Sequence, residues 1–336
     1  MAKKLRKKLR VLSRREVEQT LSMSEVLGLV EKAFEERGLR RVQMPPKVYL
    51  FFSKFSGDLR VMPAYLEGMD KAGVKLVNVH PNNPAKYGLP TLLATIVLFD
   101  PETGVPISIM DGTGITAMRT AAASGVATKH LARKDARVLG MIGAGYQGPF
   151  QLEALNEVMK IEAVKIFDVI GEQADNLAAT ARKRFGLDVS SVAAAEEAVR
   201  GSDVLVMATP SKTPIVQSEW VAKGTHINAI GADAPGKQEL EAGILARAKI
   251  VIDDWEQASS SGEINVPLSK KIITRANIYG ELGEIVAGAK PGRVSEDEIT
   301  VFDLTGLAIH DVITAWHAYE VAREKGIGRD IEPLYY

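Results

Sequence analysis

The sequence predicts an α/β protein in which a doubly wound parallel sheet is joined to a discontinuous α+β domain. Three observations carry the prediction. From Arg137 onward, short apolar runs alternate with helix-like segments, as expected when helical crossovers make strands parallel. Before Arg137, strand-like runs separated by turn signals follow two helix patterns, which reads as a sheet completed first. A helix pattern at Leu307–Lys325 is long enough to return to that sheet, so both chain ends close one domain. The expected boundaries are 1–115 with 309–336 for the first domain and 116–308 for the second, within 336 residues.

The elements follow in order. Ser13 is placed to cap a helix over Arg14–Leu21, and Ser24 one over Glu25–Arg37, where Val26, Leu29, Val30 and Phe34 form a helical stripe. Strand-like runs come next at Lys47–Phe52, Leu59–Ala64, Ala72–His80, Thr91–Phe99 and Val105–Asp111. Turns are expected at Ser56-Gly57-Asp58, Pro81-Asn82-Asn83-Pro84 and Asp100–Gly104. Thr116–Arg133 reads as a helix leading into the second domain. Strands are expected there at Arg137–Ile142, Ala163–Phe167, Val189–Val192, Val204–Ala208, His226–Ala229, Ile250–Asp253 and Ile299–Phe302. Helices are expected at Phe150–Met159, Glu172–Phe185, Ala194–Arg200 and Gln238–Ala246.

The first strand of that series runs straight into Gly143-Ala-Gly145-Tyr146-Gln147-Gly148, and a helix pattern follows. In this context GxGxxG is a dinucleotide fingerprint. Gly143 permits the tight turn, Gly145 admits a pyrophosphate to the backbone, and Gly148 lets the helix pack closely, with its N-terminal N–H groups facing the anion. The next strand ends in Asp168, about 20 residues on, where a ribose-binding acid is expected. The second domain therefore reads as Rossmann-type, and the carboxylate of Asp168 favours NAD because it would repel a 2′-phosphate.

Composition excludes other classes. Formal net charge is +0, so the whole surface carries no drive toward nucleic acid. No run of about 18 apolar residues implies a membrane span. No apolar signal core stands near Met1, and a cytoplasmic protein is expected. Cysteine is absent, which removes disulfides, thiolate catalysis and cysteine metal sites. A basic start (Lys3, Lys4, Arg6, Lys7, Lys8, Arg10) reads as a solvated extension rather than a nucleic-acid arm, since no aromatic residue is interleaved. His80, His130, His226, His310 and His317 show no metal-ligand spacing, and no metal is expected.

Several segments resemble the ornithine cyclodeaminase/μ-crystallin family: Met118–Gly125, Gly143–Gln147, Gly224–Leu240 with its Gly231-Ala-Asp-Ala-Pro-Gly-Lys237 core, and Gly262-Glu-Ile264. The match runs from about Val11 to Gly328. Gln43–Leu50, Gly57–Arg60 and Asn228–Leu240 read most like the archaeal-type L-alanine dehydrogenases within it. The resemblance implies NAD as cofactor, a small amino or keto acid as substrate, and a first domain that binds substrate and pairs across a homodimer.

The same resemblance implies roles for individual residues. Lys75 would hold the substrate carboxylate or polarise its carbonyl; by pattern alone it reads as an outward residue of a half-exposed strand, because Val74 and Leu76 face the other way. Arg119, a permanently charged fork, would bind the carboxylate or a cofactor phosphate, and Lys47 would line the same pocket. Asp233, just past a parallel strand, would be the acid/base group handling the amine proton or the attacking water. Lys237, the Thr209-Pro210-Ser211 turn, Ala229, Gly231, Tyr146, Gln147 and Thr305 would contact the cofactor.

Arg60 discriminates among activities. Ornithine cyclodeaminases carry a glutamate there, before the pair Met62-Pro63, suited to a second ammonium group. An arginine would repel that group and suit a carboxylate. The expected reaction is reversible oxidative deamination of L-alanine. The alternatives are a cyclodeaminase lyase with recycled NAD, a cyclic ketimine reductase, and a μ-crystallin-like binding protein.

Overall fold

The computed structural model describes residues 8–333, so most of the basic start, Lys3 to Lys7, lies outside the described residues. The chain divides into two compact units. The first comprises 1–36, 40–119 and 307–336, the second 37–39 and 120–306.

Strands of the first unit are β1 (Leu9–Leu12), β2 (Val42–Gln43), β3 (Val48–Phe52), β4 (Gly57–Leu66), β5 (Lys71–Val79), β6 (Leu92–Phe99) and β7 (Pro106–Asp111). Those of the second are β8 (Val138–Ile142), β9 (Ala163–Phe167), β10 (Asp188–Ser191), β11 (Val204–Met207), β12 (His226–Ala229), β13 (Lys249–Ile252), β14 (Ile278–Glu281) and β15 (Thr300–Asp303). A last strand, β16 (Arg329–Ile331), belongs to the first unit.

The first unit is one mixed sheet in the order β16-β1-β7-β6-β5-β4-β2, with β3 also on β4. Neighbours are antiparallel except β1, which runs parallel to β7. The helix Ala308–Lys325 packs over β4, β5 and β6. Alternation on β5 puts Gly73, Lys75 and Val77 on the buried face and leaves Val74 and Leu76 half-buried on the other. Lys75 therefore points inward, against the pattern-only reading, and stands opposite Met62 of β4.

The second unit is a parallel sheet in the order β10-β9-β8-β11-β12-β15-β13-β14. Its direction of growth reverses between β8 and β11, the switch point at which open α/β sheets bind ligands beyond the strand carboxyl ends. Central strands β11, β12 and β15 are buried along their whole length, as a sheet covered on both faces requires. A core of Leu205, Met207, Ile227, Val301 and neighbours fills one side of it.

Several expectations need correction. The helix expected over Gln238–Ala246 begins only at Ala242, because Leu240 bridges Val216 and the Glu239 and Leu240 amides are taken by Glu263. The second helix starts at Met23, and Ser22 rather than Ser24 makes the reciprocal contact with its first turn, through Glu25. The Thr116 helix starts at Thr113, where Asp111 accepts from the Thr113 and Gly114 amides. The Pro81–Pro84 turn continues into a short helix, Asn83–Tyr87, ended by Gly88 at φ 63°. β1, β14 and β16 and the short helices between Trp255 and Val286 had no expected counterpart.

Candidate active site

In the second unit, Gly143 closes β8 with φ 100°, a left-handed conformation that a side chain resists, and an added Cβ would lie 2.6 Å from the Ala208 carbonyl oxygen. Gly148 begins the helix Gly148–Val158, and a Cβ there would lie 2.8 Å from Leu177 of the next helix. At Gly145 a Cβ would meet only Gln173 Oε1, at 3.8 Å, so open space borders the turn beside the helix N-terminus. Gln147 has a buried side-chain oxygen with no hydrogen-bond partner among the described residues. Asp168 accepts from Ala144 N at 2.8 Å and Ile170 N at 2.9 Å, which ties the acid at the end of β9 to the glycine turn. No Lys or Arg follows it through Gln173. Tyr146 is exposed and its ring sits 5.6 Å from that of Phe150. These features fit a dinucleotide: an open cradle, a side-chain amide oxygen without a partner among the described residues, and an acid with no cation beside it in sequence.

Ala229 ends β12, and Gly231 and Asp233 follow in the loop beyond it. Asp233 is partly exposed and pairs with Lys237 at 2.5 Å; Lys237 also donates to the Gly231 carbonyl at 3.3 Å. The structure thus brings these two predicted site residues together. The Thr209 amide and hydroxyl donate to Glu239, and Ser211 Oγ turns back to the Thr213 carbonyl, with Pro210 exposed between them. Thr305, beyond β15, donates from its amide (2.8 Å) and hydroxyl (3.0 Å) to buried Asp253.

The first unit carries a buried ionic cluster. Lys75 Nζ lies 2.7 Å from Asp311 Oδ2, and Arg119 Nε 2.9 Å from Asp311 Oδ1. Asp311 is wholly buried, Lys75 is 1% exposed and Arg119 5%. Thr116 Oγ1 lies 3.4 Å from the Lys75 ammonium. Burial, reinforced by the charge of Arg119, lowers the Lys75 pKa to about 7, despite the opposing pull of Asp311. Lys47 lies near enough to add repulsion. Arg60 shares the inner face of β4 with Met62 and is forked onto Asp58, at 2.9 and 3.3 Å, with its guanidinium 5.5 Å from the Tyr49 ring centre.

Sequence reasoning missed Asp311, Glu239, Glu263, Asp303 and Asp253. Asp311 carried a signal, an acid inside the apolar run Ala308-Ile-His-Asp-Val-Ile. Glu239 and Glu263 lay within segments quoted only for resemblance. His226 is a satisfied core histidine: it is buried, bonded to Thr300 Oγ1 at 2.9 Å, and desolvation lowers its pKa to about 3. His310 packs edge-on against Phe34, ring centres 4.4 Å apart.

The model of the ornithine cyclodeaminase/mu-crystallin family matches residues 7–326. An alanine dehydrogenase of Archaeoglobus fulgidus is 52% identical, over 96% of this chain and 98% of the relative. Among solved structures, an archaeal alanine dehydrogenase dimer with bound NAD superposes with TM-score 0.93 at 52% identity, covering 96% of this chain and 99% of that one. The Δ1-pyrroline-2-carboxylate reductase of Thermococcus litoralis, solved with NADH and L-proline, also gives 0.93, at 42% identity, over 96% of this chain and 100% of that one.

Proposed function

Because the chain belongs to the ornithine cyclodeaminase/mu-crystallin family, we propose that it reversibly deaminates L-alanine to pyruvate and ammonia. It is an NAD-dependent oxidoreductase acting on the C–N group of an amino acid. The proposal concerns the substrate. The observation that carries it is the pair of buried cations, Lys75 and Arg119, sharing the single carboxylate of Asp311. Such a cluster holds excess positive charge when Lys75 is protonated, and suits the carboxylate of an amino or keto acid.

In this reading the first unit supplies the anchor: Arg119 and Lys75 hold the substrate carboxylate, Lys47 adds positive potential, and Arg60, held by Asp58, lines the same inner face. The second unit supplies the cofactor cradle, through Gly143, Gly145, Tyr146, Gln147, Gly148, Asp168, Thr209–Ser211, Ala229, Gly231, Lys237 and Thr305. Bound NAD provides the hydride acceptor. Asp233 accepts the proton from water as it adds to the imine, and Lys237 at 2.5 Å orients that carboxylate. Overall, zwitterionic alanine, NAD+ and water give pyruvate, ammonium, NADH and a proton.

Arg60, in place of the glutamate of ornithine cyclodeaminases, supports a substrate without a second ammonium group. A cyclic imino acid is the second reading, favoured by the likeness to the reductase solved with L-proline. Purified protein with NADH should be assayed against pyruvate plus ammonia and against Δ1-pyrroline-2-carboxylate. NADH oxidation that requires pyruvate and ammonia, faster than with the cyclic imine, is expected; the opposite ranking overturns the alanine assignment.

A homodimer is part of the proposal. β3 and the turn after it expose Val48, Leu50, Phe51 and Phe55, with Phe51 72% exposed, a patch too apolar for open solvent. Sedimentation should give twice the chain mass, and a monomer at micromolar concentration would refute it. Among the described residues no helix is long and apolar enough to cross a membrane.

A further inference from the structure

We propose that Glu239 is a positioning residue of the cofactor site, clamping the loop after β11 to the loop after β12. One oxygen of its carboxylate accepts from the Thr209 amide at 2.8 Å and the Thr209 hydroxyl at 2.7 Å. The other accepts from the Gly231 amide at 3.0 Å. Thr209 opens the turn assigned to the cofactor, and Gly231 stands two residues before Asp233. One buried side chain thus fixes both loops at the carboxyl ends of adjacent parallel strands. Gly231 is fitted to the contact: an added Cβ would collide with the Thr209 carbonyl and with the Glu239 carboxylate.

Glu239 is itself held from behind. Its own amide and that of Leu240 donate to Glu263, at 3.0 and 2.7 Å. The Glu263 and Ile264 amides donate in turn to Asp303 at the end of β15, at 2.9 and 3.1 Å. Gly262 makes room for Asp303, since a Cβ there would lie 2.5 Å from both of its oxygens. Three carboxylates therefore stand in series, all with no exposed surface, each gripping the main chain of the next. Burial pushes Glu239 up to about 7 and Asp303 to about 8. Apolar side chains would fill this space with less desolvation cost. A series of carboxylates in their place is explained by what they orient, the two loops.

The inference rests on the cofactor reading, so the experiment begins with NADH fluorescence titration of the wild-type protein. Glu239→Gln leaves an amide group facing a main-chain N–H and breaks one arm of the clamp. Thr209→Val removes the hydroxyl arm to Glu239 together with the 3.3 Å bond that the hydroxyl accepts from the Ser211 amide, and Thr209→Ser restores both. We expect Glu239→Gln to weaken NADH binding and lower kcat, each by about 10-fold or more, the loss of one hydrogen bond to a charged group. Thr209→Val should follow in the same direction, and Thr209→Ser should bind as wild type. If Glu239→Gln does not fold, the Thr209 pair decides. A lowered melting temperature with unchanged NADH affinity and kcat in the folded variants would overturn the inference and leave the cofactor reading standing. A wild-type protein that does not bind NADH would overturn both.

Discussion

Replacing Asp311 with Asn keeps the shape of the ionic cluster in the first unit and removes its only acid described there. Two buried cations then face each other without a counter-charge. Breaking a buried pair by deleting one partner costs about 3–5 kcal/mol, but Lys75 can escape by releasing its proton, because its pKa is already about 7. The cost therefore depends on pH. At pH 9 Lys75 is neutral in both proteins, and the loss is that of Arg119 alone, about 3 kcal/mol. Below pH 7 the folded wild type holds the Lys75 proton, the folded variant does not, and the unfolded chain holds it in both. The variant then loses about 1 kcal/mol of further stability for each pH unit below 7. Urea unfolding followed by circular dichroism should show a deficit of about 4 kcal/mol at pH 6 against about 3 at pH 9. A deficit that is the same at both pH values, or larger at pH 9, would show that Lys75 does not titrate against Asp311.

Four further outcomes are expected. Asp233→Asn should lower turnover about 100-fold or more while NADH affinity stays near wild type; retained turnover removes Asp233 from proton transfer. The free-enzyme kcat/KM for the keto acid should fall as pH rises through about 7, where Lys75 loses its charge, and Lys75→Met should abolish that limb along with most activity; a profile unchanged by the substitution refutes the anchor. Gly143→Ala, strained at φ 100° and crowded by Ala208, should lose about 1–3 kcal/mol of stability and bind NADH poorly, read by thermal melting and titration. Asp168→Ser should raise the NADPH-to-NADH ratio of kcat/KM, because the charge that repels a 2′-phosphate is gone; an unchanged ratio sinks that role.

The glycine turn proposed to cradle the cofactor is legible in the sequence because its pattern is local. Gly143, Gly145, Gly148 and Asp168 all lie in one strand–turn–helix–strand stretch, so their spacing can be read without knowing the rest of the fold. Lys75 was harder. Its alternation with Val74 and Leu76 marks two faces but does not say which is buried; the helix Ala308–Lys325, over 200 residues away, decides that. Asp311 was invisible as a partner for the same reason. The carboxylate series around Glu239 was missed because the chain there has no regular period. Its course is set by three acids that meet only in the folded sheet, and they hold Gln238–Leu240 out of the helix that its residues would otherwise join.

β1 and β16 lie side by side, Arg10 opposite Asp330 and bonded to it at 2.8 Å, across 320 positions of sequence. During translation, residues 120–306, all of the second unit but 37–39, leave the ribosome as one uninterrupted stretch. The earlier sheet must wait, with Lys75 uncovered, for the final helix and the closing strand. A chain truncated after residue 306 and released into solution should therefore resist protease in its middle while its amino end is cut.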